Sequence, residues 1–161
     1  MSLAPLPQIF LPSGELHVGA APIRISTVLG SCVAVCLWDA RRRWGGMNHF
    51  ILPRAPAGDC TARYGDIAIP QLIARMNAAG SPRRDLVAKV FGGARVLPSG
   101  APYAATIGQQ NADLAFRMLT EAGLPVVGQS IGGEEGIVIY FDIDSGDVLL
   151  RRVNPRRAKV A

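Results

Sequence analysis

Apolar and polar positions fall along the chain in runs that predict most of its elements. Residues 15–19 and 23–28 are short, β-branched runs separated by Ala20-Ala21-Pro22, and they predict two strands. Residues 32–38, Cys-Val-Ala-Val-Cys-Leu-Trp, are continuously apolar, as in a strand buried on both faces. A polar turn at 39–43 and a second apolar run at 45–52 complete a hairpin. Residues 1–13 are proline-rich and show no period, which predicts a loose lead-in. After a loop at 53–63, Ile69, Leu72, Ile73 and Met76 recur at helical spacing. They predict a helix capped by Asp66 and stopped by Gly80, with Pro70 in its first turn, where no N–H partner is lost. Residues 86–91 predict a strand that ends at Gly92-Gly93. A second helix is predicted over 108–122, with Leu114, Met118 and Leu119 inward. A strand at 125–130 and a hairpin of 137–141 with 148–152 close the chain. Strands and helices do not alternate strictly, so the expected fold is a single α+β domain with two main helices and mixed or mainly antiparallel sheets.

The length of 161 residues fits one domain with a core of useful size. Its bounds are expected at 14–153, followed by a basic tail at 154–161. Apolar residues make up 49% and charged residues 18%, which excludes a disordered chain or a coiled coil. The net charge of +5 is a property of the C-terminus: Arg151, Arg152, Arg156, Arg157 and Lys159 account for it, and the preceding 150 residues carry twelve charges of each sign. With only 6% aromatic residues and no basic stripe, a nucleic-acid-binding face is not expected. No apolar run is long enough to span a membrane, and no signal sequence is evident, so a cytoplasmic chain with reduced thiols is expected.

The candidate chemistry lies in the first hairpin. The chain has two histidines, His17 and His49, and three cysteines, Cys32, Cys36 and Cys60. A turn centred between Ala40 and Arg41 sets Cys32 opposite His49, and directly opposed residues have Cβ atoms about 4.5–5.5 Å apart. That spacing suits a thiolate–imidazolium pair, with His49 lowering the thiol pKa. The alternative for a cysteine in an apolar strand is inert core. Zinc held by Cys32, Cys36, His17 and His49 is disfavoured. Cysteines four apart on a strand are separated by about 13 Å, whereas zinc draws each sulfur to about 2.3 Å. No metal or other cofactor is expected. Gly45-Gly46, Gly92-Gly93 and Gly132-Gly133 lack the lysine of a phosphate loop and suit tight turns or close backbone approach.

Together these residues carry a resemblance. Leu29-Gly30-Ser31-Cys32-Val33-Ala34-Val35-Cys36 with Gly46-Met47-Asn48-His49-Phe50 resembles the bacterial chemoreceptor glutamine deamidase family, CheD. Arg63-Tyr64-Gly65, Lys89-Val90-Phe91-Gly92-Gly93-Ala94, Ile107-Gly108 with Asn111, and Gly132-Gly133 continue the pattern in order, so the resemblance spans about residues 16–153. It implies a cysteine amidohydrolase, related in fold to toxin-type deamidases, that converts glutamines of methyl-accepting chemotaxis receptors to glutamates. Cys32 matches the nucleophile and His49 the base. The family's third group is a hydroxyl six positions before the cysteine, which is Ser26 here. Thr27 lies beside it, but adjacent strand residues face opposite ways, and Ser26 is the expected partner of His49. Backbone N–H groups near Gly30, Ser31 and Cys32 are the expected oxyanion donors. A receptor cytoplasmic domain is the implied substrate and a CheC-type phosphatase the implied partner. The alternative is a non-catalytic adaptor that binds either one. Gln110 and Ile137 stand where the family pattern usually has Arg and a Gly-Arg pair.

Overall fold

A computed structural model describes residues 5–95 and 106–153. Nine strands form two sheets. In chain order they are β1 (Gln8–Phe10), β2 (Leu16–Ala20), β3 (Arg24–Leu29), β4 (Val33–Asp39), β5 (Trp44–Asn48), β6 (Leu86–Gly92), β7 (Val126–Ile131), β8 (Gly136–Asp142) and β9 (Val148–Val153). The four-stranded sheet has the order β1-β3-β8-β9 and the five-stranded sheet β2-β5-β4-β6-β7. Pairing is antiparallel except for β1 with β3 and β6 with β7. Helices α1 (Gly65–Ala78) and α2 (Ile107–Glu121) pack on the five-stranded sheet.

The result is three layers with two cores, and β4 shows why. Its odd residues Val33, Val35 and Leu37 join Leu72, Met76, Ala115 and Leu119 beneath the helices. Its even residues Ala34 and Cys36 join Ile25, Leu29, Ile139 and Phe141 between the sheets. A strand buried on both faces reads as an unbroken apolar run. Gly46 on β5 permits the close approach of α1, because a Cβ there would meet Val18 Cγ2 at 2.7 Å and Leu72 Cδ1 at 2.9 Å.

The α+β fold, both helices and the closing hairpin stand as expected from the sequence. Four details differ. Residues 8–10 form a strand within the predicted lead-in, because β1 finds a partner in β3 that no local period announces. Asp66 is not a cap: Tyr64 occupies that position, and Asp66 instead accepts from the Ala55 N–H at 3.0 Å. With α1 starting at Gly65, Pro70 falls inside the helix rather than in its first turn. The first hairpin is also shifted by two residues in register, pairing Asp39 with Trp44 and Cys36 with Met47. The turn is four residues long because the Asp39 carboxylate accepts from the N–H groups of Arg41 and Arg42 at 3.0 and 3.2 Å, and Arg43 takes a left-handed φ of 55°. The predicted tail at 154–161 lies outside the described residues.

Candidate active site

The register carries Cys32 and His49 from directly opposed to diagonal positions. Val33 pairs with Phe50 through reciprocal bonds, Val33 N–H to Phe50 O at 3.1 Å and Phe50 N–H to Val33 O at 3.0 Å. One position further, Cys32 lines up with Ile51, so His49 is its diagonal neighbour on the same face. Both residues lie toward the space between the sheets, where Cys32 packs against the inter-sheet core. Cys32 is half-buried and His49 is buried. No hydrogen bond joins the two side chains in this structure.

The group that does bond His49 comes from the other sheet. Thr27 Oγ1 lies 2.7 Å from His49 Nδ1. Ile25, Thr27 and Leu29 are the inward residues of β3, while Val28 is 48% exposed on the outer face. Ser26 shares that outer face, so the expectation that Ser26 meets His49 is corrected to Thr27. Neighbouring residues do face opposite ways, and it is Thr27 that faces His49. The bulky residues at 25 and 29 carried the signal, since they fix the odd positions as inward.

Thr27 also settles which ring nitrogen of His49 carries the proton. A hydroxyl has one proton, and Thr27 Oγ1 donates it to the Leu11 carbonyl at 2.8 Å. The contact with Nδ1 must then be donated by the ring, which leaves Nε2 with a free lone pair. The Leu11 carbonyl lies one residue past β1, the strand that no period in the sequence reveals. Leu11 is 3% exposed, and its N–H bonds Ser26 O at 2.8 Å.

The charge state is also corrected. Burial lowers the His49 pKa to about 4. Burial raises that of Cys32, opposed in part by the residue's own N–H. The resting pair is therefore a neutral thiol and a neutral imidazole, not a preformed ion pair. Cys36, wholly buried, has its thiol pushed further up by desolvation and is core. Cys60 is exposed in a loop, and His17 sits on the edge strand β2, paired with Met47 of β5.

The backbone before Cys32 is held by its carbonyls. Ala94 N–H donates to Gly30 O at 2.8 Å and Gly93 N–H to Cys32 O at 2.8 Å. Gly92 has a φ of 108°, and a Cβ there would collide with the Cys32 carbonyl oxygen. Among the described residues the N–H groups of Ser31 and Cys32 donate to no other residue. Gln110 lies in a shallow groove of about 240 Å³ with Arg54, Asp113 and Arg117. Ile137 is 6% exposed in the inter-sheet core. A broader depression of about 850 Å³ between α2 and β7 has no cysteine, histidine or acid in its lining.

Comparison with known proteins places the chain in a family. The family model described as CheD chemotactic sensory transduction matches residues 51–152. A protein of Rhodospirillum rubrum, named as a probable chemoreceptor glutamine deamidase CheD, is 50% identical over 148 residues, covering 92% of this chain and 84% of its own length. The chain belongs to the CheD family. A second relative of the same name, from Trichlorobacter lovleyi, is 46% identical with 92% of each chain covered. One from Anaeromyxobacter dehalogenans, named as a probable chemoreceptor glutamine deamidase CheD 1, is 45% identical over 91% of this chain. The CheD model begins at Ile51, past both Cys32 and His49, and the relatives extend the match across most of the remaining chain.

Proposed function

We propose that this chain is a cysteine-dependent amidohydrolase that deamidates glutamine side chains of chemoreceptors. The supporting observation is the Leu11–Thr27–His49 chain of hydrogen bonds, which leaves a lone pair on Nε2, with the half-buried Cys32 diagonal to His49 on the same face. The names of its CheD-family relatives supply the substrate class. Cys32 is the nucleophile and His49 the general base and acid. Thr27 takes the orienting role assigned from sequence to Ser26.

The chemistry starts from neutral groups. Cys32 Sγ adds to the glutamine carboxamide carbon while its proton passes to His49 Nε2. The carbonyl oxygen gains negative charge and is received by the Ser31 and Cys32 N–H groups. An imidazolium whose pKa is about 4 is a strong acid. It protonates the amide nitrogen as the C–N bond breaks, and ammonia leaves. Water then adds to the thioester, again passing a proton to Nε2, and the C–S bond breaks to return that proton to sulfur. The net reaction is carboxamide plus water to carboxylate plus ammonium, with no redox change.

Mass spectrometry of a receptor cytoplasmic fragment co-expressed with the protein tests this. Glutamine-to-glutamate conversion with the wild type, and none with a folded Cys32→Ala variant, is expected. Undiminished conversion by Cys32→Ala would overturn the assignment of the nucleophile. Binding without conversion by the wild type would favour an adaptor for the receptor or a CheC-type phosphatase.

A further inference from the structure

The β4–β5 ladder is interrupted on both sides of His49. Toward the turn, the Val35 N–H donates to the side-chain Oδ1 of Asn48 at 2.9 Å. Away from the turn, past the Val33–Phe50 pair, the backbones diverge and one side chain bridges the gap. Asn111 Nδ2 donates to Ser31 O at 3.0 Å and to Ile51 O at 2.9 Å. Ser31 immediately precedes Cys32, and Ile51 lies two residues beyond His49.

We infer that Asn111 is a positioning residue that sets the spacing of Cys32 and His49. The inference rests on the deamidase assignment above. Both protons of one amide are used, one on each catalytic segment. Both partners are carbonyls, so the amide nitrogen must be the atom facing them. Asn111 is fully buried at the start of α2, and its Oδ1 has no hydrogen-bond partner among the described residues. Its two donated bonds tie the segments to a rigid helix rather than to each other. Together with Gly93 and Ala94, Asn111 accounts for the carbonyls of Gly30, Ser31 and Cys32. With these carbonyls held toward the body of the protein, the adjoining N–H groups of Ser31 and Cys32 stay available to an oxyanion. Among the described residues Asn111 hydrogen-bonds neither Cys32 Sγ nor the His49 ring, and it acts through the backbone that carries them.

Asn111→Leu keeps the branching at Cγ and removes both donors. The expected result is a folded protein whose kcat on the receptor fragment falls about ten- to a hundredfold, as for a nucleophile displaced by an ångström or less, with KM nearly unchanged. A folded Asn111→Leu protein with kcat within twofold of wild type would overturn the inference. Asn111→Asp gives an independent measurement should the leucine variant not fold. Its carboxylate repels both carbonyls, whereas its acid form donates to one of them. The ratio of its kcat to that of wild type should therefore rise as pH falls, and a flat or falling ratio would overturn the inference. Failure here is distinct from failure of the deamidase assignment. In the first case wild type converts glutamine, Cys32→Ala does not, and Asn111→Leu matches wild type. In the second the wild type itself does not convert it.

Discussion

At the residue scale the decisive contact is Thr27 with His49. Thr27→Val keeps the shape of the side chain but removes the acceptor that fixes the Nδ1–H tautomer. The expected effect is a fall in kcat on the order of ten- to a hundredfold, whereas Thr27→Ser stays close to wild type and Ser26→Ala is silent. Steady-state rates on a receptor fragment compare the three. Titration gives a second expectation. An unfolded histidine takes up its proton near 6.5, but His49 in the folded protein does so only near 4. Between these values the unfolded state binds more protons, so stability is present above pH 6.5 and declines as pH falls toward 4. The loss amounts to as much as about 3 kcal/mol, and denaturant titrations at stepped pH should show it in wild type and not in His49→Gln. The Cys32 thiol is expected to titrate above the ordinary thiol range. A rate of alkylation against pH that placed it below that range would show a resting ion pair and contradict the neutral site.

At the element scale, β1 and the turn after β6 serve the site from outside the hairpin that carries it. Gly92→Ala forces a side chain into a φ of 108° and against the Cys32 carbonyl. The backbone conformation alone costs about 1–3 kcal/mol, and displacement of Cys32 should lower kcat further than that loss of stability explains. Thermal melts paired with rates on the folded protein separate the two effects. The sequence revealed the hairpin, both helices and the glycine turns, because periodicity and turn chemistry are local signals. It did not reveal β1, because three residues without a period become a strand only through pairing with β3. Nor did it set the hairpin register, because Asp39 and Arg43 lengthen the turn by side-chain bonding and a left-handed residue. That Cys32 and His49 share one face of the first hairpin was legible in the sequence. The hydroxyl that meets His49 was missed by one residue, and the Leu11 carbonyl behind it is a main-chain atom with no sequence signature.

At the scale of the whole molecule, the site is assembled by the packing of two sheets. Cys32 and His49 flank β4 and β5 of the five-stranded sheet, and Thr27 comes from the four-stranded one, where its neighbour in register on β8 is Ile139. Ile139→Ala and Leu72→Ala each remove a fully buried aliphatic side chain and should each cost about 2–5 kcal/mol. Only the first loosens the inter-sheet core beside Thr27, so kcat of the folded protein should fall for Ile139→Ala and hold for Leu72→Ala. Equal effects on kcat would mean that the sheet-to-sheet packing does not govern the chemistry. All of this presumes a thioester on Cys32, and an acid quench of the protein during turnover of a receptor fragment looks for it directly. The expected species is a covalent conjugate of the two chains that hydroxylamine cleaves and that peptide mapping assigns to Cys32. A conjugate mapped to Cys36, Cys60 or any other residue, or one still formed by Cys32→Ala, would contradict it.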